Sequence, residues 1–190
     1  TLVYGFNHTE LKDSNKIISY GSCTVNAYVP LANYFNDKYG IEESDVNVIH
    51  NIQEYRLNDN YTLNRKFCTL EKQGVTMLPI LKDKFNVNYT VIPYDGISTI
   101  DFRFKFNKTI DKETFLKEFK DSIYNKELKG LYGLGKVDIG PEVYNCTRFS
   151  SVFIEDSIKV INNNVYLFAY FDNENSVNRF FDLSNYIILE

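Results

Sequence analysis

Apolar and polar residues alternate most regularly over residues 97–106, where Ile100, Phe102, Phe104 and Phe106 interleave with Asp101, Arg103 and Lys105. A period of two predicts a strand with one buried and one wet face, in a sheet covered on one side. Runs rich in β-branched and aromatic residues predict further strands at 2–6, 16–20, 45–52, 89–93, 149–154, 157–161 and 165–171. The last two are joined by Asn162, Asn163 and Asn164, which suits a hairpin. Over residues 24–39 the period changes: Ala27, Tyr28, Leu31, Ala32, Tyr34, Phe35 and Tyr39 recur at helical spacing, Pro30 would kink the helix, and Gly40 stands where a C-cap belongs. Asp111 N-caps an amphipathic helix over 112–124, a short helix is expected over 72–81, and a last one over 175–189. Residues 56–66 are polar and aperiodic and read as a loop, and Gly130, Gly133 and Gly135 break the pattern. Strands outnumber helices, so the expected class is α+β: a mixed, mostly antiparallel sheet with helices packed mainly on one face.

With 190 residues, 44% of them hydrophobic and 16% aromatic, the chain has material for one large core, and residues 1–190 read as one domain. A net charge of -4, with Lys and Arg scattered among Asp and Glu, argues against nucleic acid as a partner. No run approaches the ~20 apolar residues of a membrane helix, and the opening TLVYGFNH lacks the layout of a signal peptide. The expectation is a soluble, cytoplasmic protein without membrane contact. Cys23, Cys68 and Cys146 are too few and too dispersed for a disulfide framework, and no CxxC pair or His/Cys cluster suggests a metal. No GxGxxG follows a strand and no GxxxxGK[ST] is present, so any nucleotide is expected to be held largely outside these residues.

Cys23, between Ser22 and Thr24, sits where a strand gives way to a helix. Free N–H groups and the helix dipole there favour an anion, either a thiolate or an oxyanion on a bound carbonyl. By position alone, however, a cysteine before an amphipathic helix is more often a small buried hydrophobe. His50, near the end of an apolar strand, is by position either a base or a hydrogen-bonded core residue.

The segment from Lys16 to Ala32, KIISYGSCTVNAYVPLA, resembles the active-site segment of glyceraldehyde-3-phosphate dehydrogenases, typically written ISNASCTTNCLAPLA. The continuation Tyr39-Gly40-Ile41 and Val48-Ile49-His50 is similar to that family's FGI and TVHA, with the same spacing of 27 residues from cysteine to histidine. In order along the chain, Val3 to His8 resembles VVGVNH, Leu128-Lys129-Gly130 resembles LKG, and Ser150-Ser151 resembles HSS. Asp172-Asn173-Glu174, Asn178-Arg179 and Asp182-Leu183 resemble DNE, SNR and DL. The resemblance spans nearly the whole chain and covers the family's second half. It implies the family's C-terminal catalytic domain, an oxidoreductase of carbohydrate metabolism, with a Rossmann NAD-binding domain upstream that these residues do not include.

By that resemblance, the Cys23 thiolate, paired with His50, attacks an aldehyde to give a thiohemiacetal, hydride passes to NAD or NADP, and phosphate or water releases the thioester, with His50 as acid and base. Ser22 and Thr24 match hydroxyls near the attacking phosphate, Cys68 and Thr69 stand at the family's STGAA, and Asn173 matches the residue that holds the nicotinamide carboxamide. Gln53 stands where most members place a threonine. The implied partners are a small-molecule aldehyde, a sugar phosphate, with inorganic phosphate, in a homo-oligomer; these residues taken alone are expected to be inactive. Two features depart from the pattern. Val91 of Val91-Ile92-Pro93 replaces the arginine of RVPT, and the stretch from His50 to Pro79 is shorter than in the family. Hydrocarbon cannot replace a bidentate guanidinium grip on phosphate, although Arg56 or Arg65 could restore a cation. The alternatives are a non-catalytic relative serving as a scaffold, and a thiol hydrolase or acyltransferase that needs no nicotinamide.

Overall fold

The computed structural model describes residues 1–53, 55 and 63–189. They form a mixed seven-stranded sheet and four α-helices, the α+β class expected. In chain order the elements are α1 (Cys23–Tyr39), β1 (Ile41–Ile52), α2 (Thr69–Met77), β2 (Phe85–Pro93), β3 (Ser98–Phe106), α3 (Lys112–Asn125), β4 (Tyr132–Gly135), β5 (Ser151–Ile154), β6 (Lys159–Ile161), β7 (Asn164–Phe171) and α4 (Asn173–Leu189). The strands lie in the order β2-β1-β3-β7-β5-β4, with β6 also paired to β7. β1 runs parallel to β2 and β4 parallel to β5, while the remaining pairs are antiparallel. No helix among the described residues is long and apolar enough to cross a membrane.

The alternation in β3 sets the core. Phe102, Phe104 and Phe106 are buried on one face, while Asp101 is exposed on the other and Arg103 pairs there with Asp45 and Glu43. α1 and α3 cover the apolar face: Tyr28 stacks on Phe104 with centroids 5.7 Å apart, and Phe35 meets Phe104, Phe106, Phe115 and Phe119 at 5.0 to 5.7 Å. Such ring contacts add about 0.5–1.5 kcal/mol each to the burial of apolar area. Asp111 caps α3 as expected, accepting from the Thr114 N–H at 2.9 Å. Gly40 ends α1 at φ 70°, and a side chain there would meet Asn107 at 2.6 Å.

Three local expectations are corrected. Residues 2–6 and 16–20 are not strands; at 2–6 the Asn7 Oδ1 accepts the Val3 N–H at 2.8 Å and the N–H groups of Phe6 and Asn7 both donate to the Val3 carbonyl. The backbone there closes on itself instead of offering a ladder. The glycines after residue 130 do not end regular structure: Gly133 and Gly135 lie within β4, where bare backbone admits the rings of Phe149 and Tyr144 at 2.7 and 2.4 Å from an added Cβ. α4 begins at Asn173, two residues earlier than expected, with the Ser176 N–H donating to the Asp172 carbonyl.

Candidate active site

The carboxyl ends of the parallel strands β1 and β2, the amino ends of α1, α2 and α4, and the β2–β3 turn converge on one cavity of about 760 Å³. All eight residues singled out from the sequence line it: Ser22, Cys23, Thr24, His50, Gln53, Cys68, Thr69 and Asn173.

Local chemistry delivers the sulfur. Gly21 adopts φ 94°, turning the chain so that Ser22 caps α1 by accepting the Val25 N–H at 3.3 Å. Cys23 therefore opens the helix. Asn26 braces the entry by donating to the carbonyls of Tyr20 and Ser22. His50 is the last buried residue of β1, with its ring edge-on to Phe171 and tilted against Tyr89. Its Nε2 lies 3.4 Å from the Cys23 Sγ, and its Nδ1 lies 2.7 Å from the Asn51 carbonyl oxygen. A carbonyl only accepts, so Nδ1 carries the hydrogen and the Nε2 lone pair faces the thiol.

Burial disfavours charge on both partners. Burial pushes the Cys23 thiol up to about 12, with Cys68 and Asp172 adding to the rise, and this outweighs the opposing Thr24 N–H. Burial also lowers His50 below its ordinary value, against the Asn51 carbonyl and Glu174. Burial thus works against the stabilisation of an anion that the amino end of α1 offers. An uncharged imidazole whose Nε2 lone pair lies 3.4 Å from the sulfur has the geometry to accept a proton from it.

The hydroxyls of Ser22 and Thr24 lie 3.1 Å apart, and the Thr24 Oγ1 is 3.4 Å from the Cys68 Sγ. Cys68 is buried, and burial raises its thiol. It caps α2, where its own N–H donates to Glu71 at 2.9 Å. Thr69 and Gln53 are exposed at the cavity wall. Val91 pairs with His50 across β1 and β2 and is buried beside it, so hydrocarbon occupies that wall. Arg65 does not line the cavity; it is tied to Glu71 and to the Val87 carbonyl, and Arg56 lies outside the described residues. Among the described residues no Lys or Arg lines the cavity, whereas Asp95, Asp172 and Glu174 do. Burial first, and then Glu174, raise the Asp172 carboxyl to about 7.

Asn173 is exposed at the first turn of α4, and its side-chain amide has no hydrogen bond among the described residues. A free amide with one donor and one acceptor edge fits the carboxamide of a nicotinamide. Sequence reasoning missed Asn51, Asp95, Ser98 and Tyr89 around the pair. For Ser98 a signal existed, since it is the polar residue that opens the inward-facing series of β3.

No family model matches the chain. Among curated proteins it is similar to glyceraldehyde-3-phosphate dehydrogenase 1 of Bacillus cereus, 28% identical over 98% of this chain and 60% of that protein. It is also similar to a glyceraldehyde-3-phosphate dehydrogenase-like protein of Pseudomonas aeruginosa (26%, 91% and 41%) and to glyceraldehyde-3-phosphate dehydrogenase of Xanthobacter flavus (27%, 92% and 56%). The chain thus spans 41 to 60% of the length of these relatives.

Proposed function

The chain is a divergent relative of the glyceraldehyde-3-phosphate dehydrogenases, and on that premise we propose that it is the catalytic domain of an aldehyde-oxidising enzyme in which Cys23 is the nucleophile and His50 its base. The observation that carries this reading is the 3.4 Å approach of the Cys23 sulfur to the basic nitrogen of a histidine locked in one tautomer. As the sulfur bonds to the aldehyde carbon, its proton passes to the His50 Nε2 and on to the carbonyl oxygen, giving a thiohemiacetal. The N–H groups at the start of α1 steady the oxygen while it bears charge. A nicotinamide held with the help of Asn173, and mainly by a preceding Rossmann domain of the whole protein, would supply the acceptor for the hydride that turns this adduct into a thioester. His50 takes the hydroxyl proton as the C=O re-forms. After that proton is released to solvent, the free His50 base removes a proton from attacking water or phosphate and returns it to the Cys23 sulfur, which leaves as the thiol when the acid or acyl phosphate forms.

The aldehyde is a small molecule whose far end meets hydroxyl and amide groups of Ser22, Thr24, Thr69 and Gln53. Val91 leaves no guanidinium fork at that wall, which speaks against the family's usual grip on a sugar phosphate. NAD and NADP are equally compatible with Asn173, and a homo-oligomer is proposed on the resemblance alone.

The test is the rate of Cys23 alkylation by iodoacetamide in the full-length protein, followed on the peptide that carries it. General-base assistance is worth about 10²–10⁴-fold. His50→Ala should therefore slow alkylation at pH 7 at least tenfold. The wild-type rate should fall as pH drops through the lowered His50 value, because the protonated ring can no longer accept. Equal rates in the two proteins would remove the catalytic reading and favour a scaffold. Aldehyde-dependent NAD(P)H production by the full-length protein then tests the oxidation itself.

A further inference from the structure

Ser98 is 1% exposed on the inward face of β3, where Ile100, Phe102, Phe104 and Phe106 follow it. Its hydroxyl accepts the Asn51 N–H at 3.0 Å and donates to the Asn51 Oδ1 at 2.8 Å. The Asn51 amide donates to the Gly96 carbonyl at 2.7 Å and comes within reach of the Asp172 carboxylate. The carbonyl of this same Asn51 receives the His50 Nδ1–H at 2.7 Å. Both polar ends of the Asn51 side chain, together with its N–H, are thus anchored to the β2–β3 turn and β3, so the residue whose carbonyl orients the imidazole is held from outside β1.

We infer that Ser98 and Asn51 are positioning residues that hold His50 in the tautomer whose Nε2 accepts the Cys23 proton. The inference rests on the Cys23–His50 reading above and extends it. A buried hydroxyl on a hydrocarbon face is costly unless its bonds are made, and here both go to one residue. If the clip is lost, the Asn51 carbonyl is free to turn away from Nδ1. The hydrogen then has no fixed acceptor there, and the ring can present Nε2–H to the sulfur, where it accepts nothing. Partners that orient a histidine from behind commonly matter 10–100-fold where the ring binds a metal, and the same geometry acts here on a proton. The Asn51 carbonyl and Glu174 favour charge on His50 against its burial, and Cys23, Tyr89 and Asp172 are the other titratable groups that face the same cavity.

The experiment uses the full-length protein as wild type, Ser98→Ala, Asn51→Ala and Ser98→Thr. Side-chain ¹⁵N shifts report the tautomer of His50, whose signals are assigned by their loss in His50→Gln. The Cys23 alkylation rate at pH 7 reports its function. Wild type and Ser98→Thr should show Nδ1 protonated and Nε2 bare, with rates within about twofold of one another. Ser98→Ala and Asn51→Ala should show a mixed tautomer and a rate lowered threefold or more. The inference is overturned if both truncations fold and keep the wild-type tautomer and rate. It is equally overturned if the rate falls while the tautomer stays pure, because that marks a structural role only. If alkylation in the wild type does not depend on His50, it is the Cys23–His50 reading that fails.

Discussion

Tyr132→Phe should destabilise the protein by about 2–4 kcal/mol while removing a single oxygen atom, because that oxygen repairs a break in α1. Pro30 lies inside α1 and has no N–H, so the Asn26 carbonyl loses its usual partner and the ring crowds it away. The Tyr132 hydroxyl, buried in the core, enters at this point. It accepts the Leu31 N–H at 3.0 Å and lies 3.0 Å from the Ala27 carbonyl and 3.4 Å from that of Asn26, to which it donates. Phenylalanine keeps the ring contact with Phe153 but leaves one N–H and at least one carbonyl unpaired in a dry interior, each costing about 1–2 kcal/mol. Urea unfolding followed by circular dichroism measures the effect. With a slope of roughly 2 kcal/mol/M, the midpoint should fall by about 1–2 M at unchanged slope. Pro30→Ala restores the N–H and lets the helix close, so Tyr132→Phe should cost at least about 1 kcal/mol less in that background. A midpoint shift below about 0.2 M, or equal costs in both backgrounds, would refute the reasoning.

Two further outcomes are expected beside those given for His50 and Ser98. Phe35→Ala removes a fully buried ring that meets Phe104, Phe106, Phe115 and Phe119, and should cost about 3–5 kcal/mol in the same urea assay. The Asp172 carboxyl is raised to about 7, so the folded state holds its proton more tightly than the unfolded chain. Linkage then gives a contribution that is favourable at acid pH and lost as pH rises toward 7. Asp172→Asn should therefore raise stability more at pH 8 than at pH 5, and a thermal melt showing the reverse order would contradict the assigned burial.

Local pattern carried much of the fold. The alternation in β3 and the helical spacing of α1 and α3 are visible because each buries one face, and a buried face imposes its period on the sequence. The hairpin between β6 and β7 followed from three consecutive asparagines. Where a side chain competed with the backbone ladder, as Asn7 does, or where bare glycine backbone was chosen by a ring from a distant segment, as in β4, propensity pointed the wrong way.

The candidate site divides along the same line. Cys23 and His50 were legible because each sits in a contiguous motif and the motifs keep a fixed spacing. Their being 3.4 Å apart, the hydrogen on Nδ1, and the penalty on charge at the sulfur depend on Asn51, Asp172 and burial, which only the assembled sheet brings together. The sequence by itself determined which faces turn inward and, through its resemblance, which side chains to seek in one site. Only the tertiary structure decided how those side chains are charged and aimed. Desolvation and hydrogen bonding act through neighbours far apart along the chain, so no local pattern records them.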